Sequence, residues 1–145
     1  MIHDFHKFWL KITAFVVGSF GPIFFLATMP QLAEPARWSL DLLSWPLDGA
    51  TTWDDPDTRF LSALTGGFLF GWGMMIWCLQ AWVYDAASEG VRRAVLTGIL
   101  CWFCLDSAGS VASGNASNVL FNIGVLLVAV GPLWRPAKEL FQAEV

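Results

Sequence analysis

Four long apolar runs dominate this chain, at residues 12–29, 60–84, 94–113 and 119–134. Each approaches the ~20 residues with which a helix crosses a ~30 Å hydrocarbon core. A single domain of this length has too little interior to hide all four from water. Inside a bilayer the backbone N–H and C=O groups must be satisfied within the segment itself, and that selects helices. The sequence therefore predicts an all-α polytopic membrane protein, one domain over residues 1–145 folded as an antiparallel four-helix transmembrane bundle. A content of 56% hydrophobic and 14% charged residues, with nine Trp, departs from a soluble globule in the same direction. Lys11 at the start of the first run, Pro22 at its centre and the lack of a small-x-small cleavage site read as a retained helix, not a signal peptide.

With four spans, the N-terminus, the 85–93 loop and the C-terminus share one side, and they hold Lys7, Lys11, Arg92, Arg93, Arg135 and Lys138. The long connection 30–58 has only Arg37 and Arg59 against Glu34, Asp41, Asp48, Asp54, Asp55 and Asp57. The positive-inside rule then places both termini in the cytoplasm and the protein in the bacterial inner (plasma) membrane. No basic patch exists, so nucleic acid is excluded as a partner. In the long connection, "PARWSLDLLSW" puts Trp38, Leu42 and Trp45 at helical spacing behind a Pro suited to a first turn. This predicts a short amphipathic helix on the outer surface, its tryptophans anchored among the headgroups, with a ligand-closing lid as the alternative. "WDDPDTR" resembles a chelating cluster, but Pro56 followed by Asp57 or Thr58 also supplies an N-cap for the second span, the reading preferred here. His3 and His6 in "HDFH" are too few for a metal site, so none is expected, and the spans contain no His to ligate haem.

Within the membrane, Gly67 and Gly71 form a small-xxx-small pair on the second span, extended by Gly66 and Gly73, a surface on which another helix backbone can approach closely. Phe68, Phe70, Trp72, Trp77 and Trp82 supply bulk, either as core and lipid-facing residues or as the lining of a pocket. Short turns between the last three spans predict neighbours packed in sequence. The polar stretch "CLDSAGSVASGNASNVLFN" is the anomaly. Asp106 falls ~18 Å along its span, Ser110 and Ser113 share its side, and across the hairpin Asn118 and Asn122 lie one turn apart. These groups converge on one seam, and Arg59, opening the second span from the same side, is expected to pair with Asp106. Cys101 and Cys104 have CxxC spacing, but mid-helix in hydrocarbon a thiol is a poor nucleophile and a redox role is disfavoured.

The segment "TRFLSALTGGFLFGWG", followed by polar residues late in the third span, resembles the DoxX-like small four-span bacterial membrane proteins over about the last 90 residues. The acidic outer loop and "LDSAGS" are not part of that resemblance. It implies the four-span fold, and some members are linked to quinone or thiol metabolism. Two functions follow. The first is an integral membrane protein that packs against a protein partner, or itself, through Gly67 and Gly71, or that holds a lipid-like molecule at the Asp106 seam. The second is a small membrane enzyme acting on a quinone, sterol-like or isoprenoid lipid with Asp106 as acid or base. A quinone or lipid is the cofactor either reading admits; an apolar cavity that opens beside Asp106 would favour the enzyme, and a filled seam would favour a structural clasp.

Overall fold

The computed structural model describes residues 2–137, so Lys138 of the charge argument lies outside the described residues. Five α-helices follow one another without a strand among these residues: α1 (Ile2–Leu26), α2 (Glu34–Leu43), α3 (Pro56–Cys78), α4 (Ser88–Ala112) and α5 (Ser117–Val130). A single widened turn, Leu79–Val83, prolongs α3, and a tight 3-10 turn, Gly131–Trp134, prolongs α5. Four of these helical stretches are long and apolar enough to cross a membrane, His3–Leu26, Pro56–Val83, Ser88–Ala112 and Ser117–Trp134. The chain is an all-α, multi-pass membrane bundle.

The first span begins well before residue 12. The segment "HDFHKFWL" is already helical, because its His and Lys side chains find partners beyond the apolar run and need not end the helix. His3 and His6 thus belong to a candidate span, contrary to the expectation of a solvated terminus. His6 is fully buried, and its Nε2–H donates to the Pro132 carbonyl at 2.8 Å. At the start of α3 the cap is Asp55, whose carboxylate accepts from the Thr58 N–H at 2.9 Å with Pro56 in the first turn. The capping function of "WDDPDTR" is there, on Asp55, two residues before Asp57 and three before Thr58.

The packing order differs from the sequential one. The closest pair is α1 with α3, and α4 packs on α5, while the two pairs meet mainly through the Leu79–Val83 and Gly131–Trp134 turns. Small residues explain the first contact. A Cβ on Gly66 would stand 2.7 Å from the Gly21 carbonyl oxygen and one on Gly73 2.6 Å from the Gly18 Cα, so the backbones touch only because both sides lack side chains. Gly67 and Gly71 are not part of this contact. A Cβ on either meets nothing within 4 Å, and both face outward. The spacing that matters is the seven residues from Gly66 to Gly73, in register with Gly18 and Gly21 of the partner helix.

Two apolar clusters stand at opposite ends. At the end carrying the described termini, Leu10, Ile76, Tyr84, Val91, Val95 and Leu133 form a filled core. At the other end Phe24, Ala27, Ala33, Ala36 and Trp53 fasten α2 over the bundle. We call these the terminal end and the roofed end.

Candidate functional site

The α4–α5 hairpin turns through Gly114 at φ 87, a left-handed conformation that glycine adopts without penalty. The tight turn sets Asn118 and Asn122 of α5 against Asp106 of α4. Asp106 Oδ2 accepts from Asn118 Nδ2 at 3.0 Å and from Asn122 Nδ2 at 2.7 Å. The second hydrogen of each amide is also engaged, that of Asn118 by Ser110 Oγ at 2.8 Å and that of Asn122 by Ser107 Oγ at 3.2 Å. Ser110 Oγ in turn donates to the Asp106 backbone carbonyl at 2.7 Å, and Ser113 Oγ to that of Ser110. All amide donors of the seam are therefore committed. Three acceptors are not: Asp106 Oδ1 and Asn122 Oδ1 take part in no hydrogen bond among the described residues, and Asn118 Oδ1 is buried without a partner.

Arg59 does not join this network. Its guanidinium turns back to the Asp54 carbonyl at 3.3 Å, and no ion pair links it to Asp106 among the described residues. Two neutral amides on the adjacent helix meet the carboxylate at hydrogen-bonding distance, and the Asp55 cap draws the first turn of α3, with Arg59 on it, toward the loop. The carboxylate is thus solvated by dipoles and carries no counter-charge.

Asp106, Asn118 and Asn122 border a half-open cavity of about 590 Å³ between the two helix pairs. Its volume falls within the ~300–1,000 Å³ of small-molecule sites. It follows from the packing: the pairs are joined at the terminal end and diverge toward the roofed end, where the two α-helical contacts of each pair leave a gap between them. From Asn118 to Ala129, both in its wall, is eleven residues of α5, or ~16 Å along the axis. Asp106 is the one ionisable residue in the wall; the rest is aliphatic and aromatic, with scattered hydroxyls. The aromatic lining comes from Phe20, Phe24, Trp53, Trp72, Trp102 and Phe121. Trp72 and Trp102 face each other across α3 and α4 with ring centroids 6.3 Å apart. Of the aromatic residues that the α3 sequence singled out, only Trp72 reaches the cavity; Phe68, Phe70, Trp77 and Trp82 point outward.

The amphipathic helix α2 is the roof. It has two apolar faces. Trp38, 73% exposed, and Trp45 point away from the bundle, as interfacial anchors do. Ala36, Leu40 and Leu43, at positions i, i+4 and i+7, point inward, and Leu40 and Leu43 line the cavity. Ser117 Oγ donates to the Leu43 carbonyl at 2.8 Å and ties the roof to the start of α5. The outward tryptophans fit the surface-helix expectation, and the inner stripe covers the cavity with a second apolar face that the tryptophans alone do not reveal. Trp53, 6% exposed, completes the roof, and its Nε1 finds no acceptor.

Cys101 and Cys104 are free thiols on the exposed side of α4, away from the cavity, and Cys78 is free as well. Among the described residues no group of three or more His, Cys, Asp or Glu is placed to hold a metal ion.

The terminal end carries the other polar constellation. Glu89 accepts from Arg92 through Nε at 2.7 Å and Nη2 at 2.5 Å and from Arg93 Nε at 2.8 Å, while Arg92 Nη1 donates to the Leu133 carbonyl at 2.8 Å. The Ala137 N–H also reaches Glu89, at 3.1 Å. This is a lock between the start of α4 and the end of the described chain, with every oxygen and nitrogen of the pair in use. Comparison with family models, curated proteins and solved structures finds no match for this chain, and the chemistry of the roofed cavity is what its function must be read from.

Proposed function

We propose that this small integral membrane protein holds a lipid-like molecule in the roofed cavity, the apolar chain lying along α5 toward Ile99 and Ala129 and the polar head meeting Asp106. The single observation that carries the reading is an apolar space of about 590 Å³ with one carboxylate at its edge. A carboxylate with a free oxygen is expensive to leave in hydrocarbon without a purpose, and a seam meant only to clasp two helices would have been closed over by side chains. A catalytic reading shares the same support, with Asp106 as acid or base toward the bound molecule. With one ionisable group the wall can move one proton, so catalysis by this site is limited to a proton shift on the ligand.

The reading includes an inner-membrane protein with cytoplasmic termini, which Lys7, Lys11, Arg92, Arg93 and Arg135 favour at the terminal end. It also keeps kinship with the DoxX-like proteins and a role for the outward Gly67 and Gly71 in association with a partner or a second copy as proposals.

The test is occupancy. Protein purified in mild detergent is extracted and the extract analysed by mass spectrometry, beside a Val17→Phe/Ala129→Phe variant that fills the cavity from α1 and α5. A stoichiometric apolar molecule in the wild type that disappears from the folded variant is the expected result. Equal recovery from both would sink the reading.

A further inference from the structure

Resting on that reading, the geometry points to a narrower ligand class: an amphiphile whose head donates a hydrogen bond, a long-chain or isoprenoid alcohol or a protonated amine, and not an anionic lipid. The polar end of the cavity has acceptors to offer and few donors. Both hydrogens of Asn118 and of Asn122 are taken by Asp106, Ser110 and Ser107. Four of the five hydroxyls in the wall are engaged too: Ser39 donates to the Pro35 carbonyl, Ser62 to that of Phe24, Thr65 to that of Leu61 and Thr58 to the Asp55 carboxylate, while the fifth, on Thr13, has no partner among the described residues and stands beside Ala14 of the terminal-end cluster. What remains toward a ligand at this end is Asp106 Oδ1, with the unpartnered amide oxygens of Asn118 and Asn122 adding negative partial charge beside it.

No cation offsets that charge. Of the basic residues at the roofed end, Arg59 lies on the Asp54 carbonyl and Arg37 pairs with Glu34 at 2.6 Å. A fatty carboxylate or a lipid phosphate would thus bring a second negative charge to a low-dielectric site that already holds one. A head that only accepts, such as an ether or a quinone carbonyl, would leave Oδ1 unmet and find only neutral indole N–H groups, those of Trp53 in the roof cluster and of Trp72 and Trp102, none of them engaged among the described residues. A hydroxyl or ammonium meets Oδ1 directly, and hydrogen bonds to a charged group are the stronger kind.

The chain's own tryptophans report the test. The protein is placed in phosphatidylcholine nanodiscs and titrated with four ω-brominated dodecyl compounds that share one chain: the alcohol, the amine, the methyl ether and the carboxylate. Bromine at the tail end quenches Trp72 and Trp102 when the chain is seated, and a Trp72→Phe/Trp102→Phe variant identifies their share of the signal. The alcohol and the amine are expected to quench saturably and to bind roughly tenfold or more tighter than the ether and the carboxylate. Asp106→Asn is expected to abolish the amine's advantage over the ether. If the ether or the carboxylate binds as well as the alcohol, the head assignment is overturned while the cavity reading stands. If none of the four quenches saturably, or the quench is unchanged in the Trp72→Phe/Trp102→Phe variant, the cavity reading falls and takes this one with it. Should Asp106→Asn fail to fold, the four wild-type titrations decide alone.

Discussion

The two ends of the bundle solve opposite problems with the same kinds of residue. At the terminal end a carboxylate, Glu89, is met by two guanidiniums and a backbone N–H, and the helices around it close into a filled core. At the roofed end a carboxylate, Asp106, is met by two neutral amides, and the helices around it diverge around open space. A charge paired with a cation can be buried and forgotten; a charge solvated by dipoles on one oxygen keeps the other available. The difference separates the part that holds the fold from the part that can be occupied.

That contrast can be broken, and the largest effect is expected at the lock. Replacing Arg92 by Met leaves Glu89, whose side chain is 15% exposed, without its bidentate partner and the Leu133 carbonyl without a donor. A loss of about 2–3 kcal/mol is expected in denaturant unfolding in detergent micelles; a loss under half of that would mean the terminal end is held by apolar packing alone. Gly73→Ala comes next. Its Cβ would meet the Gly18 Cα and the Ala14 carbonyl oxygen at 2.6–2.7 Å, so α1 and α3 must separate, at about 1–3 kcal/mol. Gly71→Ala, facing open space, should change thermal stability by less than about 0.5 kcal/mol in the same experiment. If the two alanines behave alike, the assignment of the α1–α3 contact is wrong.

Smaller effects belong to the roof. Ser117→Ala removes the bond to the Leu43 carbonyl and should lower stability by about 1 kcal/mol, and it should release a seated ligand faster, measured as the dissociation rate of the brominated alcohol. Asp106→Asn should likewise stay within about 1 kcal/mol of wild type, because a functional group in an open site contributes little to folding. A severe loss of stability there would make the seam a clasp like the lock, and the comparison between the ends would collapse.

Much of this was legible in the sequence, for reasons specific to each element. The spans follow from run length, since in hydrocarbon only a helix satisfies the polar backbone groups of such apolar runs within the run itself. The approach of Asn118 and Asn122 to Asp106 follows from a hairpin and one-turn spacing, both local. Arg59 was chosen for Asp106 by charge, and charge is the wrong guide when nearer amides on the adjacent helix meet the carboxylate. Gly67 and Gly71 have the familiar spacing, yet a glycine contact is defined by two helices. Only the placement of Gly18 and Gly21 selects Gly66 and Gly73. The inner face of α2 was hidden because Ala36, Leu40 and Leu43 are less conspicuous than Trp38 and Trp45. His6 was misplaced because a histidine near a terminus gives no sign of the carbonyl, 126 residues away in sequence, that buries it.

The pairing of α1 with α3 and of α4 with α5 also carries an order of assembly. The second pair is joined by residues 113–116 and closes almost as soon as its helices exist. The first pair must wait until residues 27–55 have been made, a longer loop with a larger closure cost. During synthesis α1 therefore stands without its partner, with Gly18 and Gly21 uncovered, until α3 arrives to meet them. The segment that delays this union is the one that contains α2, so the roof is made before α3, α4 and α5, three of the helices around the cavity it covers.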